Sequence, residues 1–195
     1  MGGNTVASRL LDVMENDILP MTERGVAAGN KVFGAALLRK SDFSIVIAGT
    51  NAETDNPLLH GEISTLNQFY ERAQRPSTRD LVFLSTHEPC PLCLSAITWC
   101  GFDNFYYLFS YEDTRDEFEI PHDLRILEEL FGRADGEYVR DNAFWQSHYL
   151  GDLVEQGSED ERSSWRAQIA DLRAAYGVAS DQYQAVKRET DIPLA

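Results

Sequence analysis

A three-layer α/β/α sandwich around a mixed sheet of about five strands is the fold class that this sequence predicts. Short β-branched and aromatic runs alternate in the first half with stretches whose apolar residues recur at helical spacing, the pattern of layered α/β folds. The two motifs richest in Cys, His and Glu each stand where a helix begins. With 195 residues, 43% of them apolar and 11% aromatic, the chain is long enough to bury one full core.

Val6, Leu10, Leu11, Met14 and Ile18 fall on one helical face and predict a helix over residues 5–19, closed by Pro20. Residues 32–38 (VFGAALL) and 43–48 (FSIVIA) read as two strands of a hairpin turning through residues 39–42. A loop over residues 51–57 leads into a helix that carries Ile63, Leu66, Asn67, Phe69 and Tyr70 to about residue 73, with His60 and Glu62 in its first turn. Residues 81–85 (LVFLS) read as a buried third strand. Pro91 suits a first helical turn, where its missing N–H is no loss, so residues 91–100 read as a helix whose N-terminus presents Cys90 and Cys93. Residues 105–109 give a fourth strand. Further on, residues 121–131 and 142–154 read as helices, and Trp165, Ile169, Leu172 and Tyr176 draw an apolar stripe on a third, after the polar stretch 156–161. Trp145, Tyr149 and Trp165 read as packing residues rather than a ligand cage. The organisation expected is a core domain over residues 1–140 and a C-terminal helical extension, residues 141–195, packed on it.

The net charge of −15 is unevenly spread: residues 101–195 hold 21 acidic and 9 basic side chains, the first hundred only 11 and 8. A groove for tRNA or single-stranded DNA needs clustered Lys and Arg to displace counterions from phosphates. Arg72, Arg75 and Arg79 are the nearest approach to one, so nucleic acid is not the expected partner, and the acidic excess reads as a solvated surface. No apolar run approaches the roughly 20 residues that span a bilayer, and the first residues lack the basic and apolar segments of a secretory leader. Three cysteines, two of them in one CxxC, build no disulfide framework and suit a reducing compartment. These features lead to a cytoplasmic protein with no membrane partner.

HGE at residues 60–62 and PCPLC at residues 89–93 bring an imidazole, two thiols and a carboxylate into one chain. His60, Cys90 and Cys93 make three ligands, and three protein ligands leave one corner of a tetrahedral zinc for water, as in catalytic sites. A closed structural site needs a fourth, and Cys100, His87, His122 and His148 offer none at paired spacing. Each half alone has other uses: a CxxC also serves as a redox pair, and a lone His packs or caps. Partial positive charge at helix N-termini favours the thiolate that binds metal. Zinc in such a site lowers the pKa of bound water to about 7. Glu62, two residues past His60, points elsewhere and would be free to carry a proton to and from a substrate. The backbone N–H of Cys90, the second catalytic candidate, would stabilise developing oxygen charge.

H-x-E followed by P-C-x-x-C is the signature of zinc deaminases acting on nucleobases. Together with FGAALL at 33–38, GTN at 49–51 and EPCPLCLSAITW at 88–99, it makes the sequence resemble the cytidine deaminase-like superfamily, and within it the guanine deaminase and tRNA-adenosine deaminase branch. The likeness covers about residues 31–113. It implies Zn²⁺ as cofactor, a heterocycle held between Phe33 and His60, and a hydrogen bond from Asn51 to the base. Both residues also have plain readings, Phe33 as core and Asn51 as a turn. The branch places an acid soon after the fourth strand to grip the base. Counting without gaps, that acid is Asp113, with Glu112 beside it, and such an acid suits the N1–H and exocyclic amine of guanine. The acids of YEDTRDE equally fit a solvated loop. HGE stands where the branch more commonly has HAE, the stretch from Asn51 to His60 is shorter, and the segment after Asp113 is longer. The activity implied is hydrolytic release of ammonia from a small amino-heterocycle, a free nucleobase such as guanine, by a homodimer. The alternatives are cytosine or a cytidine-type nucleoside, tRNA adenosine, and a non-catalytic zinc-stabilised interaction module.

Overall fold

The computed structural model describes residues 3–195. Strand β1 (Gly34–Arg39) is apolar on both sides, and its alternation sets the layers. Ala35 and Leu37 face a cluster built with Leu66, Phe69, Phe83 and Ile97, whereas Ala36 and Leu38 face one built with Leu10, Leu11, Met14, Trp165 and Tyr176. Around β1 lie β2 (Ile45–Thr50), β3 (Leu81–His87), β4 (Asn104–Phe109) and β5 (Gln146–Tyr149), in the order β2-β1-β3-β4-β5. The pairs β1/β2 and β1/β3 are antiparallel, β3/β4 and β4/β5 parallel. On one face sit α3 (Gly61–Glu71) and α4 (Pro91–Trp99), and on the other α1 (Gly3–Val13), α2 (Leu19–Ala27) and later helices. This is the expected three-layer sandwich with a mixed five-stranded sheet.

Pro20 does not close the first helix. The chain passes from α1 through one π-helical turn, Met14–Ile18, straight into α2, with Pro20 in the new first turn. The Leu19 N–H bonds to the Met14 carbonyl, five residues back. Widening the turn makes room for a residue that can neither donate to the helical ladder nor fit its normal pitch.

After β4 come α5 (Tyr111–Asp116) and α6 (His122–Phe131), which ends on the left-handed Gly132. The helix expected over residues 142–154 is instead β5 followed by the short α7 (Leu150–Val154). Trp145 and Tyr149 are four apart, a spacing that suits one face of either a helix or a strand. Packing decides: Trp145 lies against Phe105 and Tyr149 against Tyr107, while His148 between them stacks on Tyr106 across the opposite face. The division after residue 140 therefore cuts the sheet, because β5 is its edge strand. Helix α8 (Glu159–Val186) starts inside the polar stretch at a capping box made by Ser158 and Glu161. Its buried Trp165, Leu172, Tyr176 and Tyr183 join the same core as α1 and α2. Trp145 and Trp165 are both packing residues, 7% and 5% exposed. No described helix is long and apolar enough to cross a membrane.

His87, at the end of β3, is boxed by Phe33, Phe109, Phe118 and Tyr176, with ring centroids 4.8–5.6 Å away. Its Nδ1 lies 2.9 Å from Thr86 Oγ1, and its Nε2 has no hydrogen-bond partner among the described residues. Burial, helped by Arg173 and opposed by Asp113, brings its pKa down to about 3. The unfolded chain takes this proton near pH 6.5, so the stabilisation is complete above that pH and drains as pH falls toward 3, by up to about 1.4 kcal/mol per unit. In urea unfolding at pH 7 and pH 5, the wild type is expected to lose about 2 kcal/mol more than His87→Phe. Equal losses would refute this account of His87.

Candidate metal centre and pocket

Two helix starts meet at the carboxyl side of the parallel strands. His60 is the N-cap of α3 and Cys90 the N-cap of α4, both in extended backbone, with Pro91 filling the first helical position after Cys90. The first amide of α3, Gly61 N–H, is taken by Asn51 Oδ1 in a short hydrogen bond. Glu88 N–H bonds to the Phe109 carbonyl and ties the cysteine loop to β4.

Gly61 explains the glycine in HGE. A Cβ there would stand 2.7 Å from Gly34 Cα and 2.8 Å from both Gly34 N and the Phe33 carbonyl oxygen. The first turn of α3 thus rests directly on the backbone of β1, and side-chain motion cannot relieve the clash.

His60 Nδ1 lies 3.4 Å from Cys90 Sγ and 3.7 Å from Cys93 Sγ, and the sulfurs are 3.6 Å apart. Ideal tetrahedral zinc, with bonds of about 2.3 Å to sulfur and 2.0–2.1 Å to nitrogen, would set the nitrogen–sulfur edges at about 3.5 Å and the sulfur–sulfur edge at about 3.8 Å. The three atoms already occupy three corners of such a tetrahedron, and the two thiols and imidazole are a zinc-type donor set. Among the protein's own groups, the Cys90 thiol is held well below its usual range, first by its hydrogen bond with Cys93 and then by His60, while burial pushes Cys93 up. Burial works against charge on His60. The hydrogen bond and charge of Cys90, with the charges of Glu62 and Glu53, outweigh it and raise His60 to about 9.

Glu62 is 4% exposed; its Oε1 accepts from Ser85 Oγ at 3.0 Å, and its Oε2 lies 3.3 Å from Cys93 Sγ. Burial, then the Cys90 charge, raises its pKa, which brings a carboxyl group nearer to the range useful for proton transfer at neutral pH. The centre opens onto a cavity of about 520 Å³ with mostly apolar walls, within the usual size for a small-molecule site. His60, Cys90 and Phe33 line it, as do Lys31, Glu53, His122 and Asp123. Ile126 and Leu130 of α6 and Ile192 to Leu194 of the C-terminal segment close its far side.

The structure brings His60, Cys90, Cys93, Glu62 and Phe33 together. Asn51 is close by but 2% exposed and not in the cavity wall, with its amide spent on Gly61 N–H and Glu53 Oε2. Asp113 and Glu112 do not line this cavity. Asp113 sits at the third position of α5, where its carboxylate caps Ser110 N–H and pairs with Arg173 at 3.0 Å. Glu112 is exposed, and both acids line a separate polar cavity with Arg140 and Tyr149. The capping box and the Arg173 pair tie Asp113 to α5 and α8, while Glu112 accepts from Ser110 Oγ. Two acids do face the cavity, Glu53, which is paired with Lys31, and Asp123, in the first turn of α6, where burial followed by the Cys90 charge puts the pKa of Asp123 well above the usual carboxylate range. Its only sequence signal was an acid opening the helix after Pro121.

A layered α/β fold with a His-Cys-Cys centre, a buried glutamate and an apolar cavity defines a class of zinc proteins. The profile of the cytidine and deoxycytidylate deaminase zinc-binding region matches residues 10–109, and the chain belongs to that family, with Zn²⁺ as its cofactor. It is 30% identical over 139 residues to the alpha-1,4-glucan:maltose-1-phosphate maltosyltransferase of Salinibacter ruber, a match covering 70% of this chain and 20% of that protein. It is 28% identical over 95 residues to guanine deaminase of Bacillus subtilis, covering 47% of this chain and 60% of that protein. The chain thus spans about a fifth and three fifths of these relatives. Among solved structures it resembles guanine deaminase from Bacillus subtilis, with a TM-score of 0.52 at 22% identity over 86% of this chain and 95% of that one. A mutant protein solved with 8-azaguanine gives a TM-score of 0.51 at 17% identity, over 86% and 80%.

Gly61→Ala tests the close approach. Alanine gains up to about 1 kcal/mol in helix propensity, against about 1–3 kcal/mol for forcing a methyl into packed backbone. A net loss of stability is expected in thermal unfolding, together with lower zinc content after dialysis against a weak chelator. Unchanged values in both would show that the contact tolerates a methyl.

Proposed function

We propose that this chain is a zinc-dependent hydrolytic deaminase of a small amino-heterocycle, with a free nucleobase, guanine first, as substrate. The observation that carries this reading is a His-Cys-Cys triangle of zinc-type donors, beside the buried Glu62, that opens through His60 and Cys90 onto an apolar cavity with Asp123 in its wall. Bound zinc supplies the activation of water at neutral pH. His60, Cys90 and Cys93 hold the metal, and the walls around Phe33 and Ile126 keep bulk water from the ring. Glu62, kept dry and protonatable by its burial, would take one proton from the attacking water and deliver it to the ring nitrogen, then take the remaining proton of the added hydroxyl as the carbonyl forms and the C–N bond breaks, and pass it to the departing ammonia. The Cys90 N–H, at the start of α4, faces developing oxygen charge. Phe33 and His60 flank the ring plane.

Asp123 takes the role that the gap-free count assigned to Asp113. An acid in an apolar wall pairs with adjacent N–H groups, which guanine presents at N1 and its exocyclic amine, and discriminates against rings lacking them. The 8-azaguanine complex of a similar fold and the guanine deaminase relative support this choice. The net charge of −15 argues against a nucleic-acid substrate. The free cysteines suit a cytoplasmic setting, and the apolar rim at Leu58, Leu92 and Leu130 suits a homodimer.

Ammonia release is to be measured over a panel of amino-bases and nucleosides. Guanine is expected to lead, and activity on cytidine alone would reject the free-purine reading. Glu62→Gln is expected to keep its zinc and lose about 10²–10⁴-fold in turnover. Unaltered turnover would exclude Glu62 as the proton carrier, and an absence of turnover in the wild type would favour the interaction module. Asp123→Asn is expected to raise KM for guanine by about tenfold or more, and Asp113→Asn to leave it unchanged. The reverse pattern would restore Asp113.

A further inference from the structure

Glu53 is 3% exposed and stands in the cavity wall with no place in the chemistry above. Its Oε1 accepts from Lys31 Nζ at 2.8 Å and its Oε2 from Asn51 Nδ2 at 2.6 Å. Lys31 is itself 5% exposed, so a complete ion pair is buried beside the metal centre. A buried pair is weak evidence for stability, since apolar residues of similar volume often serve as well, and its presence asks for another reason.

The reason lies in His60. Its Nδ1 faces both sulfurs, so Nε2 is the nitrogen left to carry a proton, and Glu53 Oε1 lies 3.7 Å from it. That is about 0.5 Å beyond hydrogen-bond range. Metal-binding imidazoles almost always give their second N–H to a carboxylate, a carbonyl or water, which fixes tautomer and ring angle. Glu53 reaches the same ligand by a second route: it holds the Asn51 amide, whose oxygen accepts Gly61 N–H, the first amide after His60. We propose that Glu53, anchored by Lys31, is a positioning residue that sets the tautomer, ring orientation and backbone of the zinc ligand His60. The inference rests on the zinc centre proposed above.

The test is zinc affinity rather than turnover. In chelator competition, folded Glu53→Gln is expected to bind zinc about 10–100-fold more weakly than wild type, and Glu53→Asp to recover part of the loss. Nitrogen-15 NMR of the zinc-loaded wild type supplies an arm that no misfolding can spoil: His60 Nε2 is expected to carry a proton that exchanges slowly with solvent. Wild-type zinc affinity in folded Glu53→Gln, or a His60 Nε2 proton exchanging as in free imidazole, would overturn the role. A wild type that binds no zinc would overturn the metal centre itself, and this role with it.

Discussion

The site depends on glycine lying against glycine. Gly61 opens α3 and Gly34 opens β1, and no side chain separates the two backbones. That approach lets a residue at the helix cap, His60, come level with the cysteines at the cap of α4. A methyl at either point would move a ligand by a sizeable part of an ångström, and tetrahedral coordination accepts little such error. The ligand triangle therefore depends on the packing of α3 against β1 as well as on the ligands themselves.

Around the triangle, the chain concentrates ionisable groups where water is scarce. Glu62, Glu53, Lys31 and Asp123 all approach or line one apolar cavity. Their surroundings differ: Ser85 bonds to Glu62, Lys31 and Asn51 bond to Glu53, and burial, ahead of any neighbouring charge, raises the pKa of Asp123. Low polarity strengthens every one of these interactions, which makes the arrangement selective and unforgiving of a missing partner. The aromatic box around His87 adjoins it through Phe33, so the ring that lines the cavity is itself clamped from behind.

What could be read from the sequence was what local chemistry encodes. HGE and PCPLC pointed to the ligands, Pro91 marked the start of α4, and short β-branched and aromatic runs located four strands to within about two residues. The errors arose where distant segments compete. Pro20 was absorbed because a π-turn relieves it, and residues 146–149 became a strand because Phe105 and Tyr107 offered aromatic partners to Trp145 and Tyr149. Asp113 was assigned by counting along the chain, but the Ser110 capping box spends it locally. Lys31, Glu53 and Asp123 escaped notice because only the folded chain brings a pre-strand loop, a connecting loop and α6 to one wall.

Gly34 is squeezed on its other side as well, since a Cβ there would lie 2.4 Å from Ile18 Cγ2, at the end of the widened helical turn. At this point the molecule is one peptide thick between an outer helical layer and the coordination sphere. A disturbance of the buried Ile18 side of that turn, though remote in sequence, has a short path to the cation. Mutational sensitivity of metal loading should accordingly track the inner face of the N-terminal helices as closely as the ligands' own neighbours.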